Sequence, residues 1–229
     1  MWLRRVLPPE HLNAESKDAI KAGMGLVATM SALVLGLLVA SAKSFYDTQS
    51  AELNQLSANV VFLDLILAHY GPETREARDL LHGAVASVID QMWSKDPTQA
   101  QLIPRSFQGE AMYNKIQQLS PKNETQHSLM NQASNTATAI AQSRWLMYEQ
   151  ASTGVSVPLL VVMVFWLSVI FISFGLFARP NPAVVSAFFI SALAVTGAIL
   201  LILNMYTPYK GIIQISSAPL RAALANIGH

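Results

Sequence analysis

The sequence predicts an all-α integral membrane protein with three transmembrane helices. Hydrophobic residues make up 52% of the 229 residues and charged residues only 13%, whereas soluble domains carry about 25% charged residues. The charges are also segregated, because three long windows contain none. A helix needs about 20 apolar residues to cross a hydrocarbon core of roughly 30 Å, and each window reaches that length. No segment has the pattern of a β-strand.

The first predicted transmembrane helix covers residues 22–42, and no proline or glycine follows it until Gly71. One helix of about 48 residues would be about 70 Å long, so its second half must extend beyond the bilayer. Residues 1–21 form an N-terminal interfacial segment with a tryptophan and two arginines, which usually flank the end of a membrane span. Two interpretations follow: a further span precedes Met1, or the chain begins with a short interfacial segment.

Two rows of residues on this long helix predict contacts. A row of small and then polar side chains recurs every fourth position, and small residues allow close approach of another helix: Ala28, Ala32, Gly36, Ala40, Ser44, Thr48 and Glu52. The row fits helix packing inside one subunit, and it also fits a pore wall or subunit interface. A second row has heptad spacing and requires an apolar partner in water: Tyr46, Leu53, Leu56, Val60, Leu63, Leu67 and Tyr70.

The remaining chain is divided by proline and glycine. Residues 43–155 are predicted to form a helical extramembrane insert, with helices over 73–94, 107–119 and 124–150, the first of them packed against the heptad row. Transmembrane helices follow at 156–178 and 183–206, and the four-residue link between them requires an antiparallel hairpin. In the tail, 207–229, Ser217 is the expected cap and Gly228 the expected end of a short amphipathic helix.

No chemistry of catalysis is visible in the sequence. The three spans contain no ionisable side chain, which argues against a pump, proton relay or coupled transporter and leaves passive conduction or a structural role. Cysteine is absent, the five histidines are scattered, and no nucleotide-binding or nucleophile motif occurs. We therefore expect neither an enzyme nor a bound cofactor or metal. A net charge of +1 without a basic cluster argues against a nucleic-acid partner, and none is expected.

Several segments resemble the bacterial bestrophin-like domain family, whose function is unknown: LPPEHL (7–12), GMGLVATM (23–30), LGLLVASAK (35–43), YDTQ (46–49), GPETREARDLL (71–81) and QISSAPLRAAL (214–224). The resemblance implies four spans, one of them before LPPEHL, so the chain is expected to lack the first. True bestrophins are pentameric, calcium-regulated anion channels with a cytosolic helical region between the second and third spans. Their aromatic and aliphatic neck has no counterpart here, so anion selectivity and calcium control are not implied.

Together these features predict a multi-pass, homo-oligomeric protein of the bacterial inner membrane, contacting lipid and forming a passive pore for an inorganic ion. The alternative is a non-conducting scaffold or sensor whose insert binds a protein. Five basic residues against four near the span ends favour a cytoplasmic N-terminus. The bestrophin resemblance instead implies a cytoplasmic insert and tail, and we follow it because the charge counts differ by only one.

Overall fold

The computed structural model describes residues 14–93, 107–152, 156–177 and 181–228. Within these ranges the elements are α1 (Ala14–Tyr70), a 3₁₀ turn (Pro72–Thr74), α2 (Arg75–Met92), α3 (Phe107–Gln117), α4 (Glu124–Ser152), α5 (Val157–Phe177), α6 (Pro182–Met205) and α7 (Ala218–Asn226). No strand occurs in the described ranges, and the predicted all-helical class is confirmed. Most of the N-terminal interfacial segment lies outside them.

Helix α1 is continuous over 57 residues, so the helix has no break where the predicted first span ends. It ends at Tyr70, and the following Gly71 has a φ of 136°, a conformation that glycine adopts without strain. A Cβ at this position would lie 2.6 Å from Glu73 Oε2. The buried Thr74 Oγ1 then donates to the carbonyls of Leu67 (2.6 Å) and Gly71 (2.8 Å), satisfying groups that the helix end leaves open.

Among the described residues, three helices are long and apolar enough to cross a membrane, as predicted: α1, α5 and α6. Helix α6 begins with Pro182 in its first turn, and the side chain of Asn181 accepts a hydrogen bond from the amide of Ala183. The rings of Phe174 and Phe188 lie 6.2 Å apart, joining the end of α5 to the start of α6. This contact supports the predicted hairpin.

The chain divides into two compact units, which we call the membrane unit and the insert unit. The membrane unit contains the chain up to Ser44 together with α5 and α6, and ends at Tyr206. The insert unit begins at Phe45, contains the extension of α1 and helices α2 to α4, and includes the tail from Thr207.

The heptad row of α1 forms the centre of the insert core, which confirms that it has an apolar partner. Tyr46 packs at the edge of this core, and the other six members of the row are buried. The core around them includes residues from α2, α3, α4 and α7: Leu81, Val85, Ile89, Ile116, Ala133, Ala137, Leu220, Ala223 and Ile227. The tail helix therefore docks on the insert through its apolar face.

The cap of α7 differs from the prediction. Ser217 occupies the N-cap position, but its side chain makes no capping bond. Ser216 Oγ instead accepts from the amide of Ala218 at 3.2 Å, while Ser217 Oγ accepts from Arg221 Nε at 3.0 Å. Two adjacent serines offer the same chemistry, and the backbone conformation of Ser217 selects its neighbour for the cap.

Candidate functional site

The row of small and polar residues on α1 is exposed along its middle and half-buried at its ends. Ala28 and Glu52 are half-buried, whereas the five residues between them are exposed in the single chain. A Cβ built on Gly36 meets nothing within 4 Å. Each four-residue step on a helix turns by about 40°, so the row sweeps about 240° around α1 from first to last. The seven residues therefore do not share one face.

Helix α1 is buried in the membrane unit along a different row. Met24, Ser31, Leu38 and Ala42 are its buried positions there, and the first three are spaced by seven residues. Gly36 and Ala40 lie on the opposite side of the helix from this row, since the two rows are separated by roughly half a turn. The buried row was missed in the sequence because the whole span is apolar, and periodicity is then hard to see.

The polar side chains at membrane depth mostly hydrogen-bond to their own helix. Those of Thr29, Ser31, Ser168, Ser191, Thr196 and Asn204 donate to carbonyls three or four residues earlier in the chain. Hydroxyls used in this way are common in membrane helices. Ser41 Oγ on α1 and the hydroxyl of Tyr206, the residue that follows α6, lie 3.1 Å apart within the membrane unit.

Glu52 belongs to a buried polar network in the insert unit. Its Oε1 accepts from Gln150 Nε2 at 2.8 Å, and Gln150 Oε1 accepts from Gln49 Nε2 at 2.8 Å. Gln49, whose side chain is fully buried, accepts at Oε1 from the hydroxyl of Tyr209 at 3.0 Å. Burial and the nearby Glu52 carboxylate raise the pKa of Tyr209, so that its hydroxyl stays protonated and donates.

Trp93 at the end of α2 adds a second attachment for the tail. Its indole Nε1 donates to the carbonyl of Ile215 at 2.9 Å. Its ring meets that of Tyr209 edge to face, with centroids 5.5 Å apart, which is a favourable aromatic geometry. The tail between α6 and α7 is therefore held by α1 and by α2.

An ion pair lies further along the extension of α1. Arg78 donates from Nε and Nη2 to the two oxygens of Asp64, at 2.7 and 2.9 Å. The amide of Gly228 lies 3.5 Å from Asp64 Oδ2, so the end of the tail approaches the same carboxylate. No group of three histidine or carboxylate side chains in the described chain is arranged to hold a metal.

These features define an all-helical, multi-pass membrane protein in which the helix of the first described span continues into a second helical unit. The bestrophin-like domain model matches residues 1–220, and the chain belongs to that family. No curated protein matches.

Solved structures of a bacterial bestrophin homologue from Klebsiella pneumoniae share the fold. A variant with a leucine-to-threonine exchange has a TM-score of 0.65 at 14% identity, covering 90% of this chain and 85% of that chain. A tryptophan-to-alanine variant gives 0.66 at 15% identity, covering 90% and 83%. The form solved by zinc phasing gives 0.65 at 14% identity, covering 90% and 85%. The resemblance recognised in the sequence is thus confirmed at the level of family and fold.

Proposed function

We propose that the protein is a homo-oligomeric passive ion channel, or a channel-like pore, of the bacterial inner membrane, with α1 lining or supporting the central path. The observation that carries the proposal is the exposed middle of the small-residue row, at Ala32, Gly36 and Ala40. These side chains allow α1 helices of neighbouring subunits to approach closely. Ser44 and Thr48, also exposed, then face the wet mouth of the path, while Glu52 supports the helix from within the insert.

The proposed transport is passive because the spans contain no ionisable group to couple ion movement to protonation. An inorganic ion is the expected permeant species. In this proposal residues 43–155 and the tail form the extramembrane region and lie in the cytoplasm, an orientation that the resemblance to bestrophins supports. The outer faces of α5 and α6 contact lipid.

Apolar side chains on the soluble extension of α1 support assembly of several copies. Phe62 and Leu65 are 50% and 51% exposed in the single chain, although they lie beyond the predicted span. Exposed apolar surface of this kind is typical of a protein interface. A second copy of the chain would cover them along the same helix that carries Gly36.

Oxidative cross-linking tests the assembly, since the natural sequence contains no cysteine. We expect the Ala40→Cys variant in native membranes to form disulfide-linked dimers on oxidation, because α1 helices meet at this position. The Leu38→Cys variant is the matched control: position 38 is two residues away but is buried inside its own membrane unit, so it should remain monomeric. Equal cross-linking of the two variants would contradict the proposed contact between α1 helices at position 40.

Ion flux into liposomes containing purified protein tests conduction. We expect flux of at least one common inorganic ion, and we expect Ala40→Trp to reduce it because a large side chain would then occupy the closest approach of the helices. Absence of flux for every common cation and anion, with the protein shown to be folded and oligomeric, would refute the channel.

A scaffold or sensor is the second candidate, and a different observation favours it. Trp145 and the adjacent Leu146 on α4 are 54% and 52% exposed, and tryptophan is a side chain that often anchors protein partners. A protein that co-purifies with the wild type but not with a Trp145→Ala variant, together with absence of flux, would support this candidate.

A further inference from the structure

The hydrogen bonds of the buried polar network around Gln49 all run in the same direction from donor to acceptor. The hydroxyl of Tyr209 donates to Gln49, Gln49 donates to Gln150, and Gln150 donates to Glu52. An ionised carboxylate only accepts hydrogen bonds, whereas an amide offers a donor on one side and an acceptor on the other. Glu52 therefore requires the Gln150 amide to point its nitrogen toward Glu52, which leaves the Gln150 oxygen facing Gln49. The Gln49 amide must then donate to Gln150, so its own oxygen faces the hydroxyl of Tyr209.

We propose that Glu52 is a positioning residue which sets this direction, and that the network is a latch fastening the first turn of the tail to α1. Gln49 lies seven residues beyond the predicted end of the first span, which is about 10 Å along a helix. Tyr209 lies four residues beyond the last residue of α6. The latch thus joins the segment that follows the last span to the helix that continues from the first.

The second carboxylate oxygen of Glu52 distinguishes a positioning role from a role in stability alone. Oε2 exposes less than 1 Å² and has no hydrogen-bond partner within the described chain. A buried acceptor without a partner costs free energy, so a network selected only for stability would not end in a carboxylate. Glutamine has the same shape and also accepts at one oxygen, but it lacks the charge that fixes the direction.

The latch can be tested by cysteine labelling of the full-length protein in detergent or nanodiscs. Ile215 in the tail is 4% exposed, so an Ile215→Cys variant reacts with a maleimide only when the first turn of the tail opens. In this background, Tyr209→Phe should raise the labelling rate about tenfold, because it leaves the buried Gln49 acceptor unsatisfied. Ala133→Cys in α4, at 1% exposure, is the matched control and reports opening of the insert core instead.

The direction of the network is tested by repeating Tyr209→Phe in two further backgrounds. With Glu52→Gln the amides are free to reverse, and with Gln150→Leu the connection to Glu52 is cut. In both backgrounds we expect Tyr209→Phe to raise labelling at position 215 by about threefold or less, since the Gln49 amide is no longer held with its oxygen toward position 209 and loss of the hydroxyl no longer leaves a fixed acceptor unsatisfied.

Each alternative outcome contradicts a particular step. An unchanged labelling rate at position 215 in the Tyr209→Phe variant would show that no latch exists, and an equal rise at position 133 would show general destabilisation. A full effect of Tyr209→Phe in the Glu52→Gln background would show that the carboxylate does not set the direction. A reduced effect with Glu52→Gln but not with Gln150→Leu would assign the coupling to the charge acting through space. None of these measurements depends on ion conduction, so their failure leaves the proposed channel standing.

Discussion

The Arg78→Met variant gives the strongest prediction about stability. The side chains of Asp64 and Arg78 are 8% and 18% exposed, and two short hydrogen bonds join them. Methionine at position 78 would remove both bonds from the nearly buried Asp64 carboxylate. Of the hydrogen bonds to it described above, only that from the amide of Gly228 to Oδ2, at 3.5 Å, would remain. Removing one partner of a buried pair costs about 3–5 kcal/mol, and the residual exposure of Arg78 favours the lower end, about 3 kcal/mol. This corresponds to about a 150-fold rise in the opening equilibrium.

Hydrogen–deuterium exchange of the α1 peptide that contains Asp64 measures this opening in the intact protein. Lys115→Met is the control, because the 2.9 Å Lys115–Glu76 pair is exposed at 40% and 66% and such pairs contribute only about 0–1 kcal/mol. We expect exchange of the peptide to accelerate strongly in the Arg78 variant and to change little in the Lys115 variant.

The double variant Asp64→Leu with Arg78→Met separates the loss of the pair from the presence of an unpaired charge. Two apolar side chains of similar size remove the buried carboxylate as well, so we expect the cost to fall below about 1.5 kcal/mol. The reasoning is refuted if Arg78→Met behaves like Lys115→Met, or if the double variant is as unstable as the sum of its two single variants.

Three further outcomes follow from the same structure. Gly71→Ala should destabilise the insert by about 1–3 kcal/mol in thermal unfolding, because of its positive φ and the contact with Glu73, whereas Gly36→Ala should have little effect. Thr74→Val should cost about 1–2 kcal/mol, since the Leu67 carbonyl loses the Thr74 hydroxyl, whereas the Gly71 carbonyl keeps the amide of Thr74 at 3.2 Å. The pKa of Tyr209 is higher in the folded than in the unfolded state, so its protonated hydroxyl contributes fully to stability below the unfolded pKa of about 10. This contribution should be lost as the pH rises above that value. The absorbance difference between wild type and Tyr209→Phe should show no tyrosinate signal until the insert unfolds.

In the part of α1 beyond the predicted span, the buried positions could be predicted closely from the sequence. Within the predicted span they could not. In water, apolar residues at heptad spacing stand out against polar neighbours, and the row from Leu53 to Tyr70 is buried as expected. In the span every face is apolar, so the buried row at Met24, Ser31 and Leu38 gave no contrast. The helix ends were predictable because Gly71 and the prolines act locally.

The role of the small-residue row stays a prediction, but the structure shows where its members lie. A four-residue spacing turns steadily around the helix, so the row does not keep to one face. The turn brings Glu52 back toward the interior, where it meets Gln150 from α4. That contact joins residues about a hundred positions apart in the sequence, and no local pattern marks either residue as part of a network.

The two parts of the tail differ in backbone hydrogen bonding, which determines the order in which their amides exchange. Helix α7 buries Leu220 and Ile227, at about 1.5–3 kcal/mol for each side chain, and its amides bond within the helix. The segment before it also buries Tyr209 and Ile215 and gains hydrogen bonds from Tyr209 and Trp93, but it forms no helix. Amides of residues 207–215 should therefore exchange before those of α7. Exchange of α7 first would show that the side-chain contacts of residues 207–215 hold the tail more tightly than the helix does.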